Sequence, residues 1–529
     1  MKKLKYIIGS GVLMLLASFF SVSCTEGNDW DVDSSHNRVF SVLSTSISLS
    51  AEATTAELKW SKITDAEYYI VEVSSDSLYN DIPMGGNNSI VFGEDKSITN
   101  SPYVLTGLEG NSKYFLRIKA ISSLKEESKW SYPSEKKSFN TKSEQIFYPI
   151  TDKDLEATKV TLRWTAGQVA TKIILTPGNI THTVTADDIT KGYATIENLT
   201  SETAYTAVLM NGEKLRGTLT FQTPLDLGGA IQVNPSDSLS VLIASANNND
   251  VFALMPGEYK VGTLSILKNV AIKAAKPLNK PILKAIISIE AGVSLELKDI
   301  VLDGDGAITA GTKADQAIQF NTNDVSYQNI TIDGCEIRNY LKGLLYFNVK
   351  AVAESITINN SILYNIVCDG GDFFDCRKGT AKTINFTKNT VYNSANTARD
   401  FFRIDNENAS ALAPVVPNII IDKNTFYNIS NNSGKRILYV RWKGNTITFT
   451  NNLVVGTNVI FSDSNDTAIP SFSKNNYFEA PNLISVGSTK GKFIDASGNT
   501  LDPQFKDAAN GDFSVQNSSV SVGDPRWLK

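Results

Sequence analysis

The side chains best equipped for chemistry crowd into the stretch from Tyr346 to Asp463. Asp369, Asp372, Asp375, Arg377 and Lys378 come first, then Arg399, Asp400, Arg403 and Asp405. Lys435, Arg436, Tyr439, Arg441 and Lys443 follow, and Phe461 and Asp463 close the set. As a binding surface, Tyr346, Tyr439 and Phe461 would stack on flat apolar ligand faces while Arg377, Arg403 and Arg441 grip carboxylates through charge-assisted, bidentate bonds. As plain structure, the same charges alternate in sign up the rows and would form cross-strand ion pairs. Histidine chemistry is excluded from this region, because His36 and His182 are the only histidines in the chain and neither lies after residue 225.

An internal repeat positions these groups. Ile330-Thr331-Ile332, Ile356-Thr357-Ile358, Ile384-Asn385-Phe386, Ile419-Ile420-Ile421 and Ile447-Thr448-Phe449 start equivalent segments at intervals of 26, 28, 35 and 28 residues. Five residues after each start come Cys335, Ser361, Asn389, Asn424 and Asn452; nine after come Asn339, Asn365, Asn393, Asn428 and Gly456. In a coil whose turns lie ~4.8 Å apart, side chains at one bend satisfy their copies above and below. Asn389, Asn424 and Asn452 are therefore expected to stack in the interior.

A second strand per turn aligns by its alternation: Ala317 to Asn321, Leu344 to Asn348, Phe373 to Arg377, Phe401 to Asp405, Ile437 to Arg441 and Val459 to Asp463. With the second and fourth positions inward, the third and fifth face solvent. The exposed ladders then read Gln319, Tyr346, Asp375, Arg403, Tyr439, Phe461 and Asn321, Asn348, Arg377, Asp405, Arg441, Asp463.

Several segments carry resemblances. Lys2, Lys3 and Lys5, the apolar run to Phe20 and Ser21-Val22-Ser23-Cys24 resemble a bacterial lipoprotein signal, which implies lipidation at Cys24 and a membrane contact through that anchor alone. The acids between Glu26 and Asp33 resemble a surface-export signal of Bacteroidota lipoproteins, which implies an outer-membrane, outward-facing protein. Leu58-Lys59-Trp60, Tyr68 to Val73, Leu105-Thr106-Gly107-Leu108 and Tyr114 to Ala120 resemble a fibronectin type III domain. Val160 to Trp164, Lys172 to Leu175, Ile196 to Leu199 and Tyr205 to Leu209 resemble a shorter second copy. The asparagine ladders, with the ending Gly523-Asp524-Pro525-Arg526-Trp527, resemble a pectate-lyase-like right-handed parallel β-helix of polysaccharide-utilisation systems.

The resulting expectation is an all-β chain: signal peptide 1–23, acidic tether 24–38, fibronectin type III domains at 39–143 and 144–224, and a parallel β-helix over 225–529. The lyase resemblance implies calcium held by Asp369, Asp372 and Asp375, with Arg403, Arg377 or Lys378 as the proton-abstracting base. It also implies an acidic, pectin-type polysaccharide as partner, met by Tyr346, Arg377, Arg399, Arg403, Asp405, Arg436, Tyr439, Arg441 and Phe461, alongside outer-membrane glycan-uptake partners. Binding, β-elimination and a structural or adhesive scaffold all remain open at this point. The 529 residues carry a net charge of -5, and 42% are hydrophobic. That balance supports buried cores but provides no field for collecting nucleic acid.

Overall fold

The structure is a computed structural model, and it describes residues 37–528 apart from 87, 135–137, 397–398, 433 and 486–490. The signal peptide, Cys24 and most of the acidic tether lie outside the described residues. No helix among the described residues is long and apolar enough to cross a membrane.

The first module pairs two antiparallel sheets. Ser48–Ala51, Ala56–Lys59 and Tyr103–Leu105 form one; Ser89–Phe92, Tyr68–Ser74, Lys113–Ile121 and Ser138–Asn140 form the other. Trp60 is buried between them, edge-on to Tyr69 at 5.0 Å. The Tyr114 hydroxyl accepts the Glu109 backbone N–H at 2.9 Å, tying the chain's corner to the strand that follows. The second module repeats the device. Trp164 is buried, and the Tyr205 hydroxyl accepts the Thr200 N–H at 3.0 Å.

From Ile231 to Phe478 the strands pair in parallel, each with its counterpart one turn later, and a short antiparallel pair, Phe505–Asp507 with Asp512–Val515, follows. Here the structure adds something that alternation alone did not reveal: three strand rows per turn rather than two. The isoleucine row includes Ser326–Asp333, Val352–Asn359, Thr380–Thr387, Asn418–Asp422 and Thr446–Thr450, in the register expected from the repeat. The charged row comprises Gln316–Phe320, Gly343–Phe347, Phe374–Cys376, Phe402–Ile404 and Leu438–Val440. Between them runs a tyrosine row that includes Glu336–Arg338, Ile362–Tyr364, Thr390–Ser394 and Thr425–Ile429. Several of its strands are too short for alternation to reveal. On its outer side the chain's end folds back: Phe513 meets Tyr392 at 5.2 Å, and the Trp527 indole N–H donates to Thr390 at 2.7 Å.

The two repeating positions lie at the bend before this row and at the row's far end, and they recur for different reasons. At the later bend Asn339, Asn365, Asn393, Asn428 and Gly456 all have positive φ, between 48° and 68°, a conformation that Asn and Gly tolerate best. At the earlier bend the expected ladder is present and fully buried. The Oδ1 atoms of Asn389, Asn424 and Asn452 accept the backbone N–H of Ser361, Asn389 and Asn424, at 3.0, 2.9 and 3.0 Å. Asn475 extends it by another turn, accepting from Asn452 N–H at 2.9 Å.

The two bends should respond differently to mutation. Asn424→Ala strands the Asn389 N–H and the Phe386 carbonyl, which Asn424 Nδ2 reaches at 2.9 Å. At roughly 1–3 kcal/mol for each buried group left unpaired, the expected loss is about 2–4 kcal/mol by urea denaturation. Asn428→Gly keeps the left-handed bend and should cost less than about 1 kcal/mol.

Candidate functional site

Stacking of the charged row sets Gln319, Tyr346, Asp375, Arg403 and Tyr439 side by side on successive turns, in the expected register. Their neighbours Leu345, Phe347, Phe374, Cys376, Phe402, Ile404, Leu438 and Val440 fill the interior. Alternation therefore sends the ladder residues outward.

Phe461 does not belong to that ladder. It is fully buried, 4.9 Å from Phe472 and 5.4 Å from Phe449. The bridge between Arg436 and Ile460 sets Phe461 level with Ile437, two residues away from the expected alignment with Tyr439. There it continues the buried column of Phe373, Phe401 and Ile437, whose first two rings stack at 4.3 Å. The same shift takes Asp463 away from Arg441 and brings it 3.4 Å from Arg436. The aromatic column was visible in the sequence, but an alignment scored on alternation alone is blind to a shift of two.

The carboxylates face outward yet are covered: Asp372, Asp375 and Asp400 are at most 2% exposed and Asp405 is 6% exposed. Part of their work is backbone capping, since Asp372 Oδ1 accepts the Asp400 N–H at 2.9 Å and Asp400 Oδ1 accepts the Arg436 N–H at 3.0 Å. The remaining oxygens hold guanidiniums. Arg377 spans Asp375 and Asp372, with its contact to Asp372 at 2.8 Å. Arg403 bonds Asp405 at 2.9 Å and reaches Asp372 at 3.4 Å. Arg441 takes the other side of Asp405 at 2.7 Å, and Arg436 pairs with Asp400 at 2.7 Å. Tyr439 is half-buried against this network, with Arg436, Arg441 and Arg403 centred 3.9, 5.2 and 5.5 Å from its ring.

Burial pushes the Asp375 and Asp400 carboxyls above the ordinary carboxylate range, against the pull of Arg377 and Arg436 respectively. At Asp405 burial acts the same way, but the bonds from Arg403 and Arg441 outweigh it and the net shift is downward. The arginines are held further toward their charged form. Burial would lower Arg403 and Arg377, yet their bonds to Asp405 and Asp375 dominate and hold both above the usual guanidinium value. A general base needs a pKa brought toward the working pH, so neither guanidinium is set up to abstract a proton. Lys378, half-buried, lies 3.7 Å from Glu407.

The acids expected to hold calcium do not converge. Asp369 is exposed, while Asp372 and Asp375 are buried beneath Arg377. Calcium takes about 6–8 oxygen ligands, and among the described residues no group of three His, Cys, Asp or Glu side chains is arranged to hold a metal. The trio does not fit the ion. Arg399 is half-buried where the chain enters the row.

Beside the ion-pair network lies an open groove of about 610 Å³, lined by Gln319, Asn321, Tyr346, Asn348, Arg377 and Asp405 from the two ladders, with Asp315, Lys342 and Glu407 among its rims. It falls within the ~300–1,000 Å³ of typical ligand sites. Lys342 pairs with Asp315 at 2.6 Å across two loops that enter the row. Asp315, Lys342 and Glu407 are the charged members that ladder reasoning missed, since they sit on loops whose course alternation does not reveal.

The network gives a pH-dependent expectation. A carboxyl whose folded pKa is depressed, as at Asp405, contributes stability above the unfolded value of ~3.9 and loses it as pH falls through the folded value. Asp405→Asn should therefore cost about 2–4 kcal/mol at pH 7, because it leaves Arg403 with Asp372 alone and takes from Arg441 its paired carboxylate. Urea denaturation of the two proteins near pH 3 should show that gap closing.

Comparison with known proteins adds the following. Residues 257–394 match the family described as Domain of unknown function (DUF4957), and residues 419–527 match Domain of unknown function (DUF5123). No curated protein matches the chain. Among solved structures, the chain is similar to a two-domain fibronectin type III segment of chicken tenascin, with 16% identity, a TM-score of 0.22, and coverage of 33% of this chain and 95% of that one. It is also similar to a mutant of the PL6-family alginate lyase AlyGC, with 19% identity and a TM-score of 0.37. That match covers 52% of this chain and spans only 40% of the lyase.

Proposed function

We propose that the C-terminal coil is a right-handed parallel β-helix that binds a polysaccharide segment without cleaving it, in the groove floored by Tyr346. The observation that carries this reading is the lining itself. One half-buried aromatic ring sits among the amides of Gln319, Asn321 and Asn348, with Arg377 and Lys342 at hand. Aromatic faces pack on the apolar faces of sugar rings, and amides meet hydroxyls as both donors and acceptors. In this reading the two N-terminal modules carry the groove away from a lipid anchor at Cys24 on the outer face of the cell, beside partners that import glycans.

An acidic, pectin-type chain is the first ligand proposed. Arg377 directs Nε and Nη2 at Asp375 and Asp372, so its Nη1 edge is the one offered to a uronate carboxylate. A neutral glycan is the second, because Asp372, Asp375, Asp400 and Asp405 are balanced by Arg377, Arg403, Arg436 and Arg441. Elimination through Arg377 or Arg403 lacks support here, because their bonds to Asp375 and Asp405 favour the charged form of both guanidiniums.

Affinity electrophoresis in polygalacturonate and in neutral galactan separates the readings. Tyr346→Ala should weaken retardation about tenfold in whichever gel binds. Arg377→Gln should do so in polygalacturonate alone, and salt should mimic it. Retardation of the native protein in neither gel rejects the groove as a site for these glycans. Accumulation of ultraviolet-absorbing unsaturated product with calcium would overturn the non-catalytic reading.

A further inference from the structure

We infer that the groove takes the end of a glycan chain rather than its middle, because the loop at residues 405–417 stands as a wall across one end; this rests on the saccharide-binding reading above. The repeat takes 35 residues between Ile384 and Ile419, against 28 in the turns before and after. The extra length falls after the charged-row strand Phe402–Ile404 and before Asn418–Asp422.

Three attachments hold that loop in place. Asn408 Nδ2 donates to the Lys378 carbonyl on the preceding turn at 3.0 Å, and Glu407 lies 3.7 Å from the Lys378 ammonium. Ala409 and Leu412 pack against the core. The Trp442 indole N–H, on the following turn, donates to the Val415 carbonyl at 2.9 Å. A loop pinned to the turns on both sides and to the interior is a fixture of the fold.

On one side the loop contributes Glu407 to the groove. On the other it borders a separate hollow of about 400 Å³, lined by Asn406, Ala409, Val416, Trp442 and Lys443. The groove's lining stops at Asp405 and Glu407. Past them, on the next turn, Tyr439 packs against Arg436 at 3.9 Å and Arg441 is bonded to Asp405. From Gln319 through Tyr346 and Asp375 to the level of Asp405 is three steps of ~4.8 Å, or ~14 Å, on the order of three pyranose units. A chain laid along the coil axis thus meets the wall after about three residues, and its terminal unit rests there.

Calorimetric titration of the native protein tests this with galacturonate oligomers of two, three, four and six residues and with long polygalacturonate; galactan oligomers form a parallel series. Affinity should rise about tenfold from two residues to three and change less than twofold from three to six. Long polymer should take up one protein per chain whatever its length. Affinity that keeps climbing to six residues, or protein uptake that scales with polymer length, overturns the chain-end inference and leaves the groove standing. Absence of binding across both series overturns the groove itself. A variant with residues 407–416 replaced by a short Gly-Ser link should convert uptake from one per chain to length-dependent. That variant also gives up the Ala409 and Leu412 anchors, so the length series on the native chain decides alone.

Discussion

Each turn of the C-terminal coil depends on the turn beside it. Parallel strands ~4.8 Å apart bury a continuous interior only if every backbone group at the bends finds a partner, and the partner comes from the neighbouring turn. The amide column from Asn389 to Asn475 meets this need at one bend, with each Oδ1 accepting the N–H of the preceding turn. On the opposite side of the coil, Asp372 and Asp400 do the same with carboxylates. A carboxylate in that role brings a charge, and the charge must be paired or the burial is costly. The arginine network answers the acids that the stacking geometry placed there.

The charged face is therefore a different object from the one its composition suggests. A ladder of free arginines would pull on any polyanion; a ladder whose guanidiniums each hold a buried carboxylate is rigid, nearly neutral and poorly suited to proton abstraction. Under the binding proposed above, side chains already tied in this way would lose little further entropy on contact with a ligand. Tyr346 and its amide neighbours line the groove beside this network, while Tyr439 packs against Arg436 at 3.9 Å.

The N-terminal modules obey a simpler economy. Each closes an antiparallel sandwich over one tryptophan, Trp60 or Trp164, and locks a corner with one tyrosine hydroxyl, Tyr114 or Tyr205. The second module also touches the coil: Glu202 bonds Lys273 and Lys298 on consecutive turns, each at 3.0 Å. That bridge joins two elements which the sequence presents as separate segments.

What the sequence determined by itself was everything local or periodic. Alternation and a repeat of about 28 residues assigned the inward positions, the outward rows from Gln319 to Tyr439 and the buried asparagines, because strand pleat and turn spacing are written residue by residue. Only the tertiary structure decided the rest. It revealed the short tyrosine row, moved Phe461 inside by a shift of two that alternation cannot detect, and brought Asp315, Lys342 and Glu407 to one rim from three loops. It also decided that Asp372 and Asp375 hold arginine rather than converge with Asp369, because which charge meets which depends on loop paths between turns, and those paths leave no period in the sequence.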